Sequence, residues 1–127
     1  MQFHNRKWAK HEDLDAKGPL FGGKLVAWID EECAFHTTIQ LENTRIVTKH
    51  ISEINLRSLA KQGAVIEIGI DGLKFKNTSL TLKRETRNML SRETIITIDN
   101  TPMVNLDADG KPKTQGKTTI EFVNDLL

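Results

Sequence analysis

The stretch that decides the fold of this chain is Gly18–Phe35, with the sequence GPLFGGKLVAWIDEECAF. It begins with turn-forming residues and a glycine pair, Gly22-Gly23, and then continues for about four helical turns without a helix breaker. Apolar residues occur on every side of the run 24–38, a pattern typical of a helix surrounded by other elements. We therefore expect a long central helix.

Three acidic residues, Asp30, Glu31 and Glu32, interrupt this apolar run. Because residues three and four apart share a helix face, Asp30 is expected to lie among small apolar neighbours. A carboxylate in such surroundings costs free energy unless a nearby group uses it. Asp30 is therefore the first candidate functional residue, whereas Glu31 and Glu32 are expected on a solvated or interface face.

After Arg45 the spacing of apolar residues changes from the helical period to the alternation of strands. Strands are predicted in five ranges, 2–9, 46–56, 64–70, 78–87 and 93–106. Turn-forming pairs such as Asp71-Gly72 favour an antiparallel arrangement, and Pro102 indicates an edge position or a bulge. The predicted fold class is α+β: a single domain, 1–127, in which a curved antiparallel sheet of about five strands wraps around one long central helix. One helix covers only part of such a sheet, so we expect a dimer or a higher oligomer.

The composition is that of an ordinary soluble globular protein, with 127 residues, 28% of them charged and 38% hydrophobic, and a net charge of +1. This charge provides no global field that would favour nucleic acid or an acidic membrane surface. The single cysteine excludes an internal disulfide and provides no metal-ligand spacing. Residues 1–13 lack the apolar core of a signal peptide, and no apolar run approaches the roughly 18 residues of a membrane span. We expect a cytoplasmic protein with no metal, nucleic-acid or membrane partner.

Several motifs together resemble the hotdog-fold acyl-CoA thioesterases, also called acyl-CoA hydrolases. They are GPLFGGKLVAWIDE at 18–31, RIVTK at 45–49, SEIN at 52–55, NTS at 77–79 and DxxGKP at 107–112. The FGG…DE segment followed by VTK…SEIN at this spacing is more specific than any single motif. The resemblance extends over residues 3–118, nearly the whole chain.

This resemblance implies hydrolysis of a fatty acyl-CoA thioester to free acid and CoA, as part of lipid metabolism. It implies no metal and no cofactor, because coenzyme A belongs to the substrate and the product. It also implies homodimers with two active sites at the subunit interface, assembled three at a time into hexamers. Asp30 is then either a general base acting on water or a nucleophile that forms a mixed anhydride. Asp15 stands where the family commonly has an Asn that positions substrate or water, so Asp15 is expected to affect substrate binding or rate.

Thioester hydrolysis needs a group that activates water and donors for the developing oxyanion. Helix N-termini provide unpaired backbone N–H groups, and Gly23 at the predicted helix start joins Asp30 and Asp15 as a predicted catalytic position. The predicted substrate-binding residues are Phe21, Gly22, Glu31, Thr48, Ser52, Lys111 and Lys113. The two lysines follow a loop where relatives place basic residues near the CoA phosphates. Weaker candidates for phosphate binding are Arg57, Lys61 and Arg84.

Some of these residues also have a purely structural interpretation. The glycine pair is equally suited to tight helix–sheet packing, and Thr48 and Ser52, expected on one strand face with His50, are suited to filling the core. Cys33 is expected to be a small buried hydrophobe.

Helix geometry separates the two ends of the predicted site. Asp30 follows Gly23 by seven residues, which is about 10 Å along a helix axis. One carbonyl carbon cannot lie within hydrogen-bonding reach of both. We therefore predict a composite site, in which the glycine pair of one subunit faces Asp30 of its partner.

A different class of function is a non-catalytic acyl-CoA-binding or regulatory module with the same fold. Such modules usually accompany a DNA-binding domain, and the sequence contains no basic recognition helix. Asp30 also favours an enzyme. A dehydratase on this fold is less well supported, because His36 lies six residues from Asp30 and off its face.

Overall fold

The structure, a computed structural model, describes residues 1–20 and 22–120. This part of the chain contains one long helix, α1 (Gly22–Leu41), and a 3₁₀ turn at His11–Asp13. The strands are β1 (Gln2–Trp8), β2 (Ile46–Thr48), β3 (Ile54–Leu56), β4 (Val65–Phe75), β5 (Ser79–Asn88) and β6 (Thr94–Asn105). The predicted α+β class, with a strand before the helix and the other strands after it, is confirmed.

The strands form one antiparallel six-stranded sheet in the order β1-β4-β5-β6-β2, with β3 also paired to β6. The strand predicted over 46–56 is wrong as a single element. It consists of two short strands, and β6 pairs with β2 at Met103 and with β3 at Ile98. Between these positions β6 contains one extra residue, because its pairing with β5 shifts from Thr101 to Ile98 over two residues of β5. On the other side of β6, the pairing advances six residues from Thr48 to Ile54 but only five from Met103 to Ile98, so residues 49–53 bulge and lie outside the regular strands.

The turn predicted at Asp71-Gly72 is also wrong, since β4 continues through both residues to Phe75. The register with β5 shifts between Gly72 and Lys74, so this segment is a bulge rather than a turn. A Cβ atom at Gly72 would collide with the side chain of Ile120. The side chain of Ile120 thus approaches the backbone closely at Gly72, and a larger residue there would require Ile120 to shift.

The sheet covers only one side of α1. The buried residues recur three or four apart, as expected for a helix packed on one face; they are Leu25, Ile29, Glu32, Cys33, His36, Thr37, Gln40 and Leu41. On the other side four residues spaced four apart are exposed, namely Gly23, Ala27, Glu31 and Phe35. We call these four residues the open face of α1. Within one chain the curled sheet encloses only about half of the helix, so the expectation of a helix surrounded by other elements holds on one side.

The core lies between α1 and the inner face of β4, β5 and β6. Its fully buried aliphatic residues include Ile29 on the helix and Ile66, Leu80, Leu82 and Ile98 on the strands. Within the described residues, no helix is both long and apolar enough to cross a membrane.

Candidate active site

Asp30 lies near the middle of α1, where its carboxylate reaches the sheet at β2. The Thr48 hydroxyl donates a hydrogen bond of 2.8 Å to Asp30 Oδ1, and the same hydroxyl lies 3.4 Å from Met103 Sδ. The side chain of Asp30 remains 46% exposed. Asp30 Oδ2 accepts no side-chain hydrogen bond from residues 1–20 and 22–120. One carboxylate oxygen is thus held by the protein, while the side chain keeps exposed surface.

A buried arginine lies behind this carboxylate. Arg84 has no exposed surface, and its Nη1 lies 3.9 Å from Asp30 Oδ1. Its Nη2 donates to Thr101 Oγ1 at 2.6 Å and its Nη1 donates to Cys33 Sγ at 3.2 Å. The prediction that Arg84 is a weaker candidate for binding the CoA phosphates is wrong, because a fully buried guanidinium cannot reach a ligand in solvent.

The signal that identifies Arg84 is its position in β5. Side chains alternate between the two faces of a strand, and Leu80, Leu82, Arg84 and Thr86 share the buried inner face. A charged residue in a row of core positions is expensive unless it has a partner. The alternation could therefore have marked Arg84 as an inner residue, but only the tertiary structure places it beside Asp30.

Cys33 lies one helical turn from Asp30 and is fully buried. Burial raises the pKa of its thiol to about 11, although Arg84 acts in the opposite direction. The thiol is thus protonated near neutral pH and unsuited to nucleophilic attack. Its placement agrees with the predicted role of a small buried residue, with the added function of accepting a hydrogen bond from Arg84.

The other predicted catalytic positions lie at the start of α1. Asp15 occupies a tight turn, in which its Oδ1 accepts a 2.7 Å hydrogen bond from the Lys17 backbone N–H. Its own N–H donates to the Pro19 carbonyl at 2.8 Å. Gly22 begins the helix and Gly23 follows, and both are exposed. A Cβ atom at Gly22 would meet nothing within 4 Å, so tight packing inside the subunit does not explain the glycine there.

Two adjacent cavities lie at this end of the helix. The smaller, of about 140 Å³, is lined by Asp15, Pro19, Leu20, Gly22, Leu25, Leu56, Ser58, Leu59, Ala60 and Ile95. A larger groove of about 790 Å³ shares Asp15, Pro19 and Leu59 with it and also reaches Lys17 and Lys61. Neither cavity is lined by Asp30 of the same chain. The helix start and Asp30 therefore face different spaces within one subunit.

Apolar side chains surround this region on the outside. Leu56 is 59% exposed and Leu59 is 64% exposed, and both also line the smaller cavity. On the neighbouring edge strand β2, Val47 is 46% exposed. Sheet edges with exposed apolar residues are usually covered by another chain or element.

The predicted substrate-binding residues do not all meet at one place within the chain. The Ser52 hydroxyl accepts a 3.0 Å hydrogen bond from the Asn100 backbone N–H, so it stabilises the bulge in β6 and does not share a strand face with Thr48. Lys111 and Lys113 are exposed in the loop after β6. The backbone N–H of Lys113 donates to the Asn105 carbonyl at 2.8 Å, which returns this loop to the end of β6.

Two neighbours of Asp30 on the helix differ in burial. Glu31 is exposed on the open face of α1. Glu32 is buried and accepts a hydrogen bond from the Asn5 amide, so the prediction that it lies on a solvated or interface face is wrong. Burial raises the pKa of Glu32, and Lys7 opposes this effect. The predicted substrate contact Phe21 lies outside the described residues.

Two more buried titratable groups belong to other clusters. Glu67 accepts a 2.8 Å hydrogen bond from Arg87; burial acts to raise the pKa of its carboxyl, but hydrogen bonds and charge from the surrounding arginines lower it overall. His36 lines a cavity of about 130 Å³ together with His4 and Asp71. Burial, with a smaller effect from His4, lowers the pKa of His36 to about 4. In the described part of the chain, no group of three or more His, Cys, Asp or Glu side chains is placed to hold a metal ion.

The architecture described above is the hotdog fold, in which a strongly curled antiparallel sheet wraps a single long helix. The structural neighbours of the chain are acyl-CoA thioesterases with this fold. No protein-family model matches the chain, and no curated protein matches it in sequence.

Three solved structures illustrate the likeness. A hexameric thioesterase from Yersinia pestis is 23% identical, with a TM-score of 0.82 over 89% of this chain and 93% of that chain. An acyl-CoA hydrolase from Staphylococcus aureus, solved with butyryl coenzyme A, coenzyme A and coenzyme A disulfide, is 21% identical, with a TM-score of 0.78 over 87% and 66% of the two chains. An apo hexameric acyl-CoA thioesterase is 27% identical, with a TM-score of 0.74 over 96% and 81%. The expected resemblance to hotdog-fold acyl-CoA thioesterases is confirmed in structure.

Proposed function

We propose that this protein is an acyl-CoA thioesterase, which hydrolyses the thioester of a fatty acyl-CoA to free acid and CoA. The observation that carries the proposal is the state of Asp30: its Oδ1 is held by Thr48 at 2.8 Å, and its side chain is still 46% exposed. A fixed, accessible carboxylate on the central helix is suited to acting on water or on a thioester carbonyl. The solved thioesterases of the same fold support this assignment.

The active site is composite and lies between two subunits. Asp30 follows Gly23 by seven residues in one straight helix, so the two are about 10 Å apart along its axis. The open face of α1 and the exposed Val47, Leu56 and Leu59 provide an apolar surface for a second copy of the chain. In that dimer the glycine end of one helix faces the partner subunit's Asp30. Three such dimers form the hexamer, the assembly named for two of the solved structures.

The reaction uses these groups in order. The backbone N–H groups at Gly22 and Gly23 donate to the thioester oxygen as it gains negative charge. The partner subunit's Asp30 removes a proton from water while the water oxygen attacks the carbonyl carbon, or its carboxylate attacks that carbon directly. When Asp30 acts as general base, the C–S bond then breaks, the thiolate of CoA takes the proton that Asp30 accepted from water, and the free acid is released. When Asp30 attacks directly, cleavage of the C–S bond leaves the acyl group on Asp30 as a mixed anhydride, and the thiolate of CoA takes a proton from solvent. Water then hydrolyses the anhydride, which releases the acid and restores the carboxylate of Asp30.

The surrounding residues hold the substrate. The small cavity of about 140 Å³ at the helix start is mostly apolar and suits part of an acyl chain or the pantetheine arm. Asp15 lines it and influences how the ester is positioned. Lys111 and Lys113, both exposed, are available to bind the phosphates of CoA.

The first experiment measures thiol release from short-, medium- and long-chain acyl-CoAs by the wild type and Asp30→Asn. We expect turnover by the wild type and a loss of about 100-fold or more in kcat for the variant. Asp99→Asn, the same change at an exposed residue of β6, is the matched control and retains wild-type turnover. If the wild type binds acyl-CoA but releases no thiol from any ester, the enzyme assignment is wrong and the non-catalytic binding module replaces it.

A complementation experiment tests the composite site separately. Gly22→Val fits within the subunit, because the position is open, but its side chain blocks close approach of a ligand. Gly22→Val and Asp30→Asn are each inactive alone. Co-expressed in equal amounts, they recover about one quarter of wild-type activity, since half of the dimers are mixed and each mixed dimer has one intact site. No recovery in mixed dimers, separated by two affinity tags, would show that both groups act within one chain.

A further inference from the structure

The guanidinium of Arg84 is a charged group buried in the core, where its loss of hydration is unfavourable. It has no exposed surface, and its Nε has no hydrogen-bond partner among the described residues. Its two partners at Nη1 and Nη2, Cys33 Sγ and Thr101 Oγ1, are both uncharged groups at neutral pH. A buried cation is destabilising unless an opposite charge compensates it.

Asp30 supplies that opposite charge. Among residues 1–20 and 22–120 it is the only carboxylate within ion-pair distance of Arg84, at 3.9 Å between Nη1 and Oδ1. This distance is too long for a hydrogen bond, so the interaction is one of charge. Because Arg84 is shielded from water and counterions, solvent screens its field less than that of a surface cation.

Both contacts of the Asp30 side chain involve the same oxygen. Thr48 donates to Oδ1 from β2, and Arg84 approaches Oδ1 from β5. The carboxylate is therefore held from two sides through Oδ1, whereas Oδ2 accepts no side-chain hydrogen bond among the described residues. Thr101, on β6, fixes the guanidinium in turn through its 2.6 Å hydrogen bond.

We infer that Arg84 is a positioning residue for the proposed hydrolysis: from within the core it holds Asp30 by Oδ1 so that Oδ2 is presented to water or to the thioester. This inference rests on the proposed function. Arg84 touches neither substrate nor water, and it acts only through Asp30. Its loss is therefore expected to lower turnover rather than substrate affinity, and to matter only when Asp30 is present.

The experiment combines Arg84→Met and Arg84→Lys with Asp30→Asn in a double-mutant cycle. We expect Arg84→Met to lower kcat by about 10- to 100-fold with KM changed by less than about threefold. Arg84→Lys keeps the charge without the planar fork and recovers part of the loss. In the Asp30→Asn background, Arg84→Met changes the residual kcat by less than about threefold. Lys83→Met, the exposed neighbour on β5, is the control and leaves both constants unchanged.

Equal losses in both backgrounds, or a loss confined to KM, would overturn the inference. If Arg84→Met does not fold, Thr101→Val takes its place, since it removes the 2.6 Å bond that fixes the guanidinium. It is expected to lower kcat only in the presence of Asp30.

The same variants are also compared by urea unfolding, a measurement that does not depend on activity. We expect Asp30→Asn to destabilise the fold more when Arg84 is present than in Arg84→Met, with a coupling of about fivefold or more in the folding equilibrium constant. Coupling below about twofold would refute the contact itself. If the wild type hydrolyses no acyl-CoA but this coupling is found, the proposed function fails and the Arg84–Asp30 pair stands.

Discussion

Thr48→Val removes the hydroxyl that holds Asp30 while nearly preserving the shape of the side chain. The lost interaction is a 2.8 Å hydrogen bond to a carboxylate. Hydrogen bonds to charged groups contribute about 1.5–3 kcal/mol. The side chain of Asp30 is 46% exposed, so water replaces part of the bond, and we take the lower value of about 1.5 kcal/mol. That corresponds to a decrease of about tenfold in kcat.

The assay is thiol release at saturating acyl-CoA, with urea unfolding on the same samples. Because the same bond is lost in the folded state and valine is well suited to a strand, we expect the free energy of unfolding to fall by about 1–1.5 kcal/mol, too little to unfold the protein. Thr48→Ser keeps the hydroxyl and is expected to remain within about threefold of the wild type. If Thr48→Val turns over within about twofold of the wild type while Asp30→Asn loses 100-fold or more, the hydroxyl does not orient the carboxylate, and the reasoning from the 2.8 Å contact is refuted.

Three further predictions concern stability and are tested by urea unfolding. Glu67→Gln keeps a hydrogen-bond acceptor for Arg87 but removes its buried negative charge, and is expected to cost about 2 kcal/mol or more at pH 7. Because the pKa of Glu67 is lowered in the folded state, its contribution is present above its ordinary pKa and is lost as the pH falls through the lowered value, so the difference in stability between wild type and variant narrows in acid. The pKa of His36 is lowered from 6.5 to about 4, so on acidification the unfolded chain takes up a proton at this histidine before the folded chain does, and the free energy of unfolding falls by at most about 3 kcal/mol between pH 6.5 and pH 4. An equally large fall in the variant His36→Gln would contradict this. Gly72→Ala places a methyl group against Ile120 and is expected to lower the free energy of unfolding by about 1–3 kcal/mol, part of which the second substitution Ile120→Ala restores. If the effects of the two substitutions simply add in the double variant, the clash with Ile120 is not the cause.

The helix, the class of fold and the candidate carboxylate could be predicted from local pattern. An uninterrupted apolar run after Gly22-Gly23 has the length and residue types of a helix, and the alternation after Arg45 is that of strands. Carboxylates in the middle of such a helix are unusual for reasons of solvation, and this marks Asp30, Glu31 and Glu32 together; the resemblance to the thioesterases singles out Asp30, whereas the structure shows that Glu32 is the buried one.

The two incorrect strand boundaries have a common cause. A bulge is a property of a pair of strands, because it arises where one strand has a residue that the other does not match. The division of 46–56 reflects a mismatch with β6, and the continuation of β4 through Gly72 reflects its pairing with β5 as far as Phe75. Both depend on a partner strand, so the local pattern of one strand does not contain the information.

The sequence by itself determined what each segment prefers: a long helix carrying Asp30, and strands with an inner and an outer face. Only the tertiary structure decided which groups meet. Arg84 is 54 residues from Asp30 along the chain, yet its Nη1 lies 3.9 Å from the carboxylate. Such a contact depends on the register of strands around the helix, and register is set by long-range packing and bulges rather than by local propensity. For the same reason, only the tertiary structure shows which side of α1 the sheet leaves exposed.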